Sequence, residues 1–202
     1  MHAGLEIHNE CLRKCIAENH GYEVKTVGDS FVVAFRNVPD AAAFMLRAQH
    51  ALLEQPWSNE LLPLPNCEPL SAASEDKEFP KANSGEISTE RRSSTEDVVA
   101  NILKSRTGGA HSISEPPWLW RGLRVRMGCH VGEVDREYVP ITGRVDYFGP
   151  PVNMAARVES LAHGGEILVS EACYEALRNI YPESMTCLGV FMFKSITPLF
   201  II

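Results

Sequence analysis

Within residues 144–157, Arg-Val-Asp-Tyr-Phe-Gly-Pro-Pro-Val-Asn-Met-Ala-Ala-Arg, an acid, an amide and a guanidinium recur at fixed spacing. Asp146 lies on a short apolar run with strand character, and Gly149-Pro150-Pro151 turns the chain and can open a helix, because proline suits a first helical turn. Asn153 and Arg157 stand four residues apart on that helix and so share a face. An Arg fork pairs with phosphate oxygens, while an Asp can accept from a base amino group, so the three together suit a nucleotide. On this stretch alone, a surface helix with a satisfied Asn accounts for the pattern equally well.

The elements that would position these residues follow from periodicity. Leu5, His8, Leu12, Cys15 and Ile16 recur at helical spacing, and Asn19-His20-Gly21 stops that helix. From Tyr22 to Val27 the residues alternate, Gly28-Asp29 interrupts, and Phe31 to Phe35 forms a second run, which together predict a hairpin. Ala41, Phe44, Met45, Ala48 and Leu52 give a second amphipathic helix, ended before Pro56.

Residues 58–117 are rich in Pro, Ser, Glu and Lys and poor in large apolar side chains. They are predicted to form a disordered surface insertion, with a short helix at Thr95 to Lys104, in an otherwise single domain spanning 1–202. Leu123 to Val131 alternates as a strand, and residues 132–144 read as a protruding loop. A helix from Pro151 to Leu161, a strand from Glu166 to Val169, a helix capped by Ser170 and running to about Ile180, and two strands between Met185 and Ile202 complete the order. This alternation predicts an α/β or α+β sandwich with helices packed on a sheet.

Composition narrows the function. At 45% apolar and 22% charged residues the chain has the make-up of a globular protein, and a formal net charge of -7 argues against a general nucleic-acid binder. Six scattered cysteines without a C-x-x-C pair point to reduced, cytosolic thiols more than to a disulfide framework or a zinc site. No apolar run approaches the ~18 residues of a membrane span, and the N-terminus lacks a secretory signal pattern, so the expectation is a cytoplasmic chain with no membrane segment of its own.

Four stretches in order, Glu23-Val24-Lys25-Thr26-Val27-Gly28-Asp29-Ser30, Leu123 to Gly132, Asp146-Tyr147-Phe148-Gly149, and Asn153 with Arg157, closely resemble the catalytic domain of class III nucleotide cyclases. The wording around Trp120-Arg121-Gly122 and Asn153-Met154-Ala155-Ala156-Arg157 looks most like adenylate cyclases of kinetoplastid receptor type or of fungi.

The resemblance implies a ferredoxin-like α+β sandwich, helices on a mainly antiparallel sheet, that pairs head to tail with a second cyclase domain, either a copy of itself or a complete paralogue. It also implies ATP as substrate and cyclic AMP and pyrophosphate as products, in intracellular signalling. Lys25 and Asp146 match the residues that read adenine, where guanylate-specific members usually carry Glu and Cys; a guanylate cyclase is therefore the weaker match. Asn153 matches the residue that orients the ribose, Arg157 the one that meets charge on the α-phosphate, and Lys194 a lysine that binds the triphosphate.

In the family two aspartates hold two divalent cations, Mg2+ or Mn2+, and Asp29 matches the second. The strand that carries the first, Phe-x-Asp-Ile, has no counterpart, since neither Asp nor Phe occurs before residue 29. The expectation that follows is a fragment of a longer cyclase, with membrane anchorage of the parent left open. An alternative is a non-catalytic module that keeps the base pocket and dimer surface and serves a complete partner.

Residue by residue, plainer roles also fit: Asp29 as turn chemistry, Lys25 as a solvated strand residue, His130 as a core histidine, Arg124 and Arg126 as a charged sheet face.

Overall fold

The pairing of apolar stripes with turn residues carries through to three dimensions. The structure, a computed structural model, describes residues 2–71, 118–182, 185–191 and 199–201, which fall into two units. The first comprises residues up to Glu68 and from Arg121 onward. It opens with α1 (His2–Glu18), whose residues Cys11, Leu12, Cys15 and Ile16 are buried. The hairpin β1 (Tyr22–Val27) and β2 (Ser30–Ala34) follows as expected. Gly28 takes a left-handed φ of 65° at the first position of its two-residue turn, where a side chain would be strained. Simple alternation breaks once: the register shifts between Glu23 and Lys25, leaving Val24 as a bulge and as the strand's one buried side chain.

Helix α2 (Val38–Leu53) begins three residues earlier than its apolar stripe indicates. Asn37 caps it by accepting from the Asp40 amide at 2.8 Å, and Pro39 fits the first turn. The core joins α1 and α2 through residues such as Phe44, Met45, Ala48 and Leu52, and each large apolar side chain buried there contributes about 1.5–3 kcal/mol.

Residues 58–68 differ from the expected insertion. Leu61 and Cys67 are buried in the same core as α1 and α2, beside Trp57, whose indole N–H donates to the Leu52 carbonyl at 2.8 Å. A few well-spaced apolar residues among prolines suffice to anchor a loop that composition alone reads as unstructured. The second unit begins at Pro69 and ends at Trp120; its described part is the antiparallel pair β3 (Leu70–Ser71) and β4 (Trp118–Trp120). The helix expected at Thr95 to Lys104 lies outside the described residues.

The strand read over Leu123 to Val131 is narrower, β5 (Met127–Cys129). The Val125 carbonyl is taken by the Gln49 amide at 2.7 Å and by the Gly165 N–H at 3.0 Å, so regular pairing starts only at Met127. The face is as alternation gives it, since Met127 is buried and Leu123 and Val125 pack on the core. Within the loop read over 132–144 lies a strand, β6 (Asp135–Val139), antiparallel to β7 (Arg144–Phe148), which is the strand expected around Asp146. Four of the five β6 residues are exposed, so no apolar alternation marks it in sequence.

Helix α3 (Pro150–Leu161) leads to β8 (Ile167–Val169), which pairs in parallel with β5. Helix α4 (Glu171–Leu177) stops before Ile180, and Ser170 stands at its N-cap position without capping it. The Ser170 hydroxyl is engaged by His130 Nδ1 at 2.8 Å instead. Strands β9 (Gly189–Phe191) and β10 (Leu199–Ile201) form the final antiparallel pair. Four of the five described ladders are antiparallel, the α+β arrangement expected. No described helix is long and apolar enough to cross a membrane, and none of the six cysteines is in a disulfide.

Candidate active site

Lys25 and Asp146 meet side chain to side chain. Lys25 Nζ, on β1, donates to Asp146 Oδ1 at 3.0 Å and to Oδ2 at 2.9 Å. The Tyr147 N–H donates to Oδ1 at 2.8 Å, and the Phe148 ring lies 5.7 Å from the ammonium. The Lys25 hydrogen bond, then that backbone N–H, hold the Asp146 carboxyl below its ordinary value. The pair is partly open, with side-chain exposures of 42% for Lys25 and 23% for Asp146, so an incoming planar group can reach both.

Strand β1 is itself anchored. Arg13 of α1 forks onto Glu23 with bonds of 3.0 and 3.1 Å, lies over the Phe31 ring, and is the leading cause of the lowered Glu23 pKa. Lys25 is thus presented from a strand tied to the first helix two residues earlier.

Asn153 and Arg157 sit one turn apart on α3. Asn153 is exposed. Arg157 Nη1 is buried and makes no hydrogen bond among the described residues. A buried guanidinium nitrogen with no acceptor is uncommon. The helix that carries it is seated by two glycines. A Cβ at Gly128 of β5 would strike the α3 backbone at Glu159, and one at Gly132 would come within 2.7 Å of Pro151. Gly149, with φ at 110°, makes the sharp entry from β7. Arg126 also bonds Glu159 at 2.6 Å across this junction, although both are substantially exposed.

The other predicted residues are not gathered here. Asp29 is exposed at the hairpin tip. No three His, Cys, Asp or Glu side chains come together to hold a metal ion among the described residues. One exposed carboxylate does not fit a two-cation centre, which takes oxygen ligands from several directions. Lys194 lies outside the described residues. Arg126 occupies the charged face expected of it, and His130 is a half-buried residue whose pKa is lowered by burial. Sequence reasoning passed over Gly128 as a seat for α3, although a glycine inside a strand is itself a signal of close backbone approach. It also passed over Tyr22, which no local pattern marks.

Residues 1–194 match the adenylate and guanylate cyclase catalytic domain. The chain is 34% identical over 192 residues to an adenylate cyclase of Mycosarcoma maydis, covering 94% of this chain and 6% of that protein. It is also 34% identical over 179 residues to receptor-type adenylate cyclase B of Leishmania donovani, covering 89% of this chain and 12% of the relative. The chain therefore spans only a small part of the curated relatives it matches. Among solved structures, one of adenylate cyclases from Trypanosoma brucei in their monomeric state superposes with a TM-score of 0.68 at 27% identity, covering 100% of this chain and 78% of that one. A family match across nearly the whole length, with relatives 34% identical over most of the chain, leads to one conclusion: the chain belongs to the adenylate and guanylate cyclase catalytic domain family.

Proposed function

We propose that this chain acts as an adenylate cyclase catalytic domain, forming 3′,5′-cyclic AMP and pyrophosphate from ATP in cyclic-nucleotide signalling. The observation that carries the reading is the Lys25–Asp146 pair, a donor and an acceptor held side by side and partly open. Adenine presents an acceptor at N1 and a donor at its 6-amino group, so Lys25 meets the first and Asp146 the second. Guanine in the same pose reverses both, setting an N–H against the ammonium and a carbonyl against the carboxylate. Leaving a donor and an acceptor of the site mismatched in this way is what makes such sites selective.

Asn153 orients the ribose, and Arg157 places its unpaired guanidinium where charge grows on the α-phosphate. That electrostatic role costs no reorganisation during the reaction. The 3′-oxygen forms a bond to the α-phosphorus as the bond from that phosphorus to the bridging oxygen breaks, with pyrophosphate leaving and the hydroxyl proton passing to solvent. The site is completed by a second cyclase domain, a copy of this chain or a fuller paralogue.

The lone carboxylate of Asp29 favours a second reading: the chain contributes base-reading and Arg157 groups to a partner that holds the metal aspartates. One experiment addresses both. Cyclic nucleotide formation is measured for the purified chain with Mn2+ and either ATP or GTP at several protein concentrations. Cyclic AMP from ATP alone, rising more steeply than linearly with protein, is the expected result. Cyclic GMP formed at an equal or higher rate sinks the adenylate assignment. If the folded chain is silent with both, it is mixed with a complete domain mutated at its own Asn/Arg pair; restored activity supports the second reading, and no rescue rejects it.

A further inference from the structure

No ladder joins β7 to β1 among the described residues, since β1 pairs with β2 and β7 with β6. Yet the proposed base-reading pair spans these two strands. What brings them together is side-chain chemistry, centred on one phenol. The Tyr22 hydroxyl accepts from the Val145 N–H at 2.9 Å and donates to the Val145 carbonyl at 3.3 Å. Its ring meets Tyr147 edge to face, with centroids 6.1 Å apart. Val145 directly precedes Asp146, and Tyr22 lies three residues before Lys25 on the strand that presents the ammonium.

We infer that Tyr22 is a positioning residue that fixes β7 against β1 and so holds the Asp146 carboxylate on Lys25; its bearing on nucleotide selectivity rests on the function proposed above. A hydroxyl that both donates to and accepts from one residue determines position along the strand as well as distance. A slip of β7 by a single residue would carry Asp146 to the opposite face, because successive strand side chains point to opposite sides. The ion pair alone does not give this constraint: a lysine at the end of a flexible stem can follow a carboxylate over several ångströms. The bulge between Glu23 and Lys25 makes the clip more necessary, because a bulged strand presents its side chains by local twist and not by regular alternation.

The test is Tyr22→Phe in the full chain, which keeps the ring against Tyr147 and removes both hydrogen bonds to Val145. Two quantities are read. The first is the titration of the Asp146 carboxyl by carbon NMR, which requires no nucleotide. The groups facing that carboxyl are Lys25 of β1 and, directly across the ribbon, Glu137 of β6. The second is the ratio of ATP to GTP affinities measured by competition against a fluorescent ATP analogue. The expected result is an Asp146 titration moved up toward the ordinary carboxylate value and an ATP preference reduced by about tenfold, with the unfolding temperature little changed. Tyr147→Leu, which leaves the hydroxyl bonds in place, is expected to move the Asp146 titration less. An unmoved Asp146 titration in Tyr22→Phe overturns the inference. A moved titration with an unchanged ATP to GTP ratio upholds Tyr22 as what holds the pair together, and overturns base reading by that pair.

Discussion

The two halves of the candidate site are held by opposite means. Lys25 and Asp146 come from strands that share no described ladder, and they are mated to each other through their side chains. Asn153 and Arg157 come from one helix whose backbone is seated against β5 through Gly128, while the Arg157 guanidinium keeps an unpaired nitrogen. The difference suits the two kinds of work proposed for them. Groups that read a fixed pattern on a base can satisfy one another when no base is present, because the base only replaces one partner with another. A group that meets charge developing during reaction gains most when nothing else in the chain has taken its donors. In the first half precision therefore lies in side chains, and in the second it lies in the backbone.

The sharpest way to break this contrast is to attack the helix seat. In Gly128→Ala the new methyl meets the α3 backbone at Glu159, which cannot step aside without moving the helix. A loss of about 2–3 kcal/mol of stability is expected, with activity collapsing as Arg157 moves, and urea unfolding followed by circular dichroism measures the first part. Gly132→Ala meets only the Pro151 ring and is expected to cost less. If the two variants unfold at the same urea concentration as the parent, α3 is not held as described. Next in size is Arg157→Met. Cyclic AMP formation, in whichever assembly makes it, is expected to fall by about 10²–10³-fold, while the unfolding midpoint holds or rises because a buried unpaired donor has gone. A drop in stability would show instead that the guanidinium is structurally engaged.

The contrast also explains what could be read from the chain before its fold. The helix halves were legible: α1, α2 and α3 follow from apolar spacing and from Pro150-Pro151, and the hairpin from Gly28-Asp29. Lys25, Asp146, Asn153 and Arg157 were found as residue types in motif order, but only the fold shows Lys25 on Asp146, because nothing in local spacing relates positions 121 residues apart. Strand β6 was missed because four of its five residues are exposed and leave no apolar alternation, whereas the strand character around Asp146 was read. Leu61 and Cys67 were missed as core because they are sparse among prolines, and burial of a few anchors leaves little periodic trace. Ser170 looked like a cap by position, and the fold spends its hydroxyl on His130.

Within the half proposed to read the base, Lys25→Met should lower the preference for ATP over GTP by about tenfold and should also change the response to acid. The folded Asp146 pKa is depressed, chiefly by Lys25, so its contribution to stability is present above the ordinary carboxylate range and is lost as pH falls through the lower folded value. Without Lys25 that value returns upward and the contribution shrinks at neutral pH. Urea midpoints taken from pH 7 down to pH 2.5 should therefore fall less steeply for the variant, and parallel curves would show that the pair does not form in solution.

The smallest effect expected is at His130, beyond the pair and the helix, and it separates cleanly because it lies at higher pH. Burial lowers the folded His130 pKa from its ordinary 6.5, and no charged partner is among the causes of the shift. Below about pH 6.5 the unfolded chain therefore binds a proton that the folded chain resists, so stability declines on acidification until the folded value is passed. In the folded chain the Ser170 hydroxyl, itself fully buried, meets the His130 ring at 2.8 Å. His130→Gln keeps a group able to meet that hydroxyl but does not titrate. The variant should lose the part of the stability slope between pH 7.5 and 5.5 that His130 contributes, while its midpoint at pH 7.5 stays close to the parent's. An unchanged slope in the variant would assign the acid response in that window to other histidines.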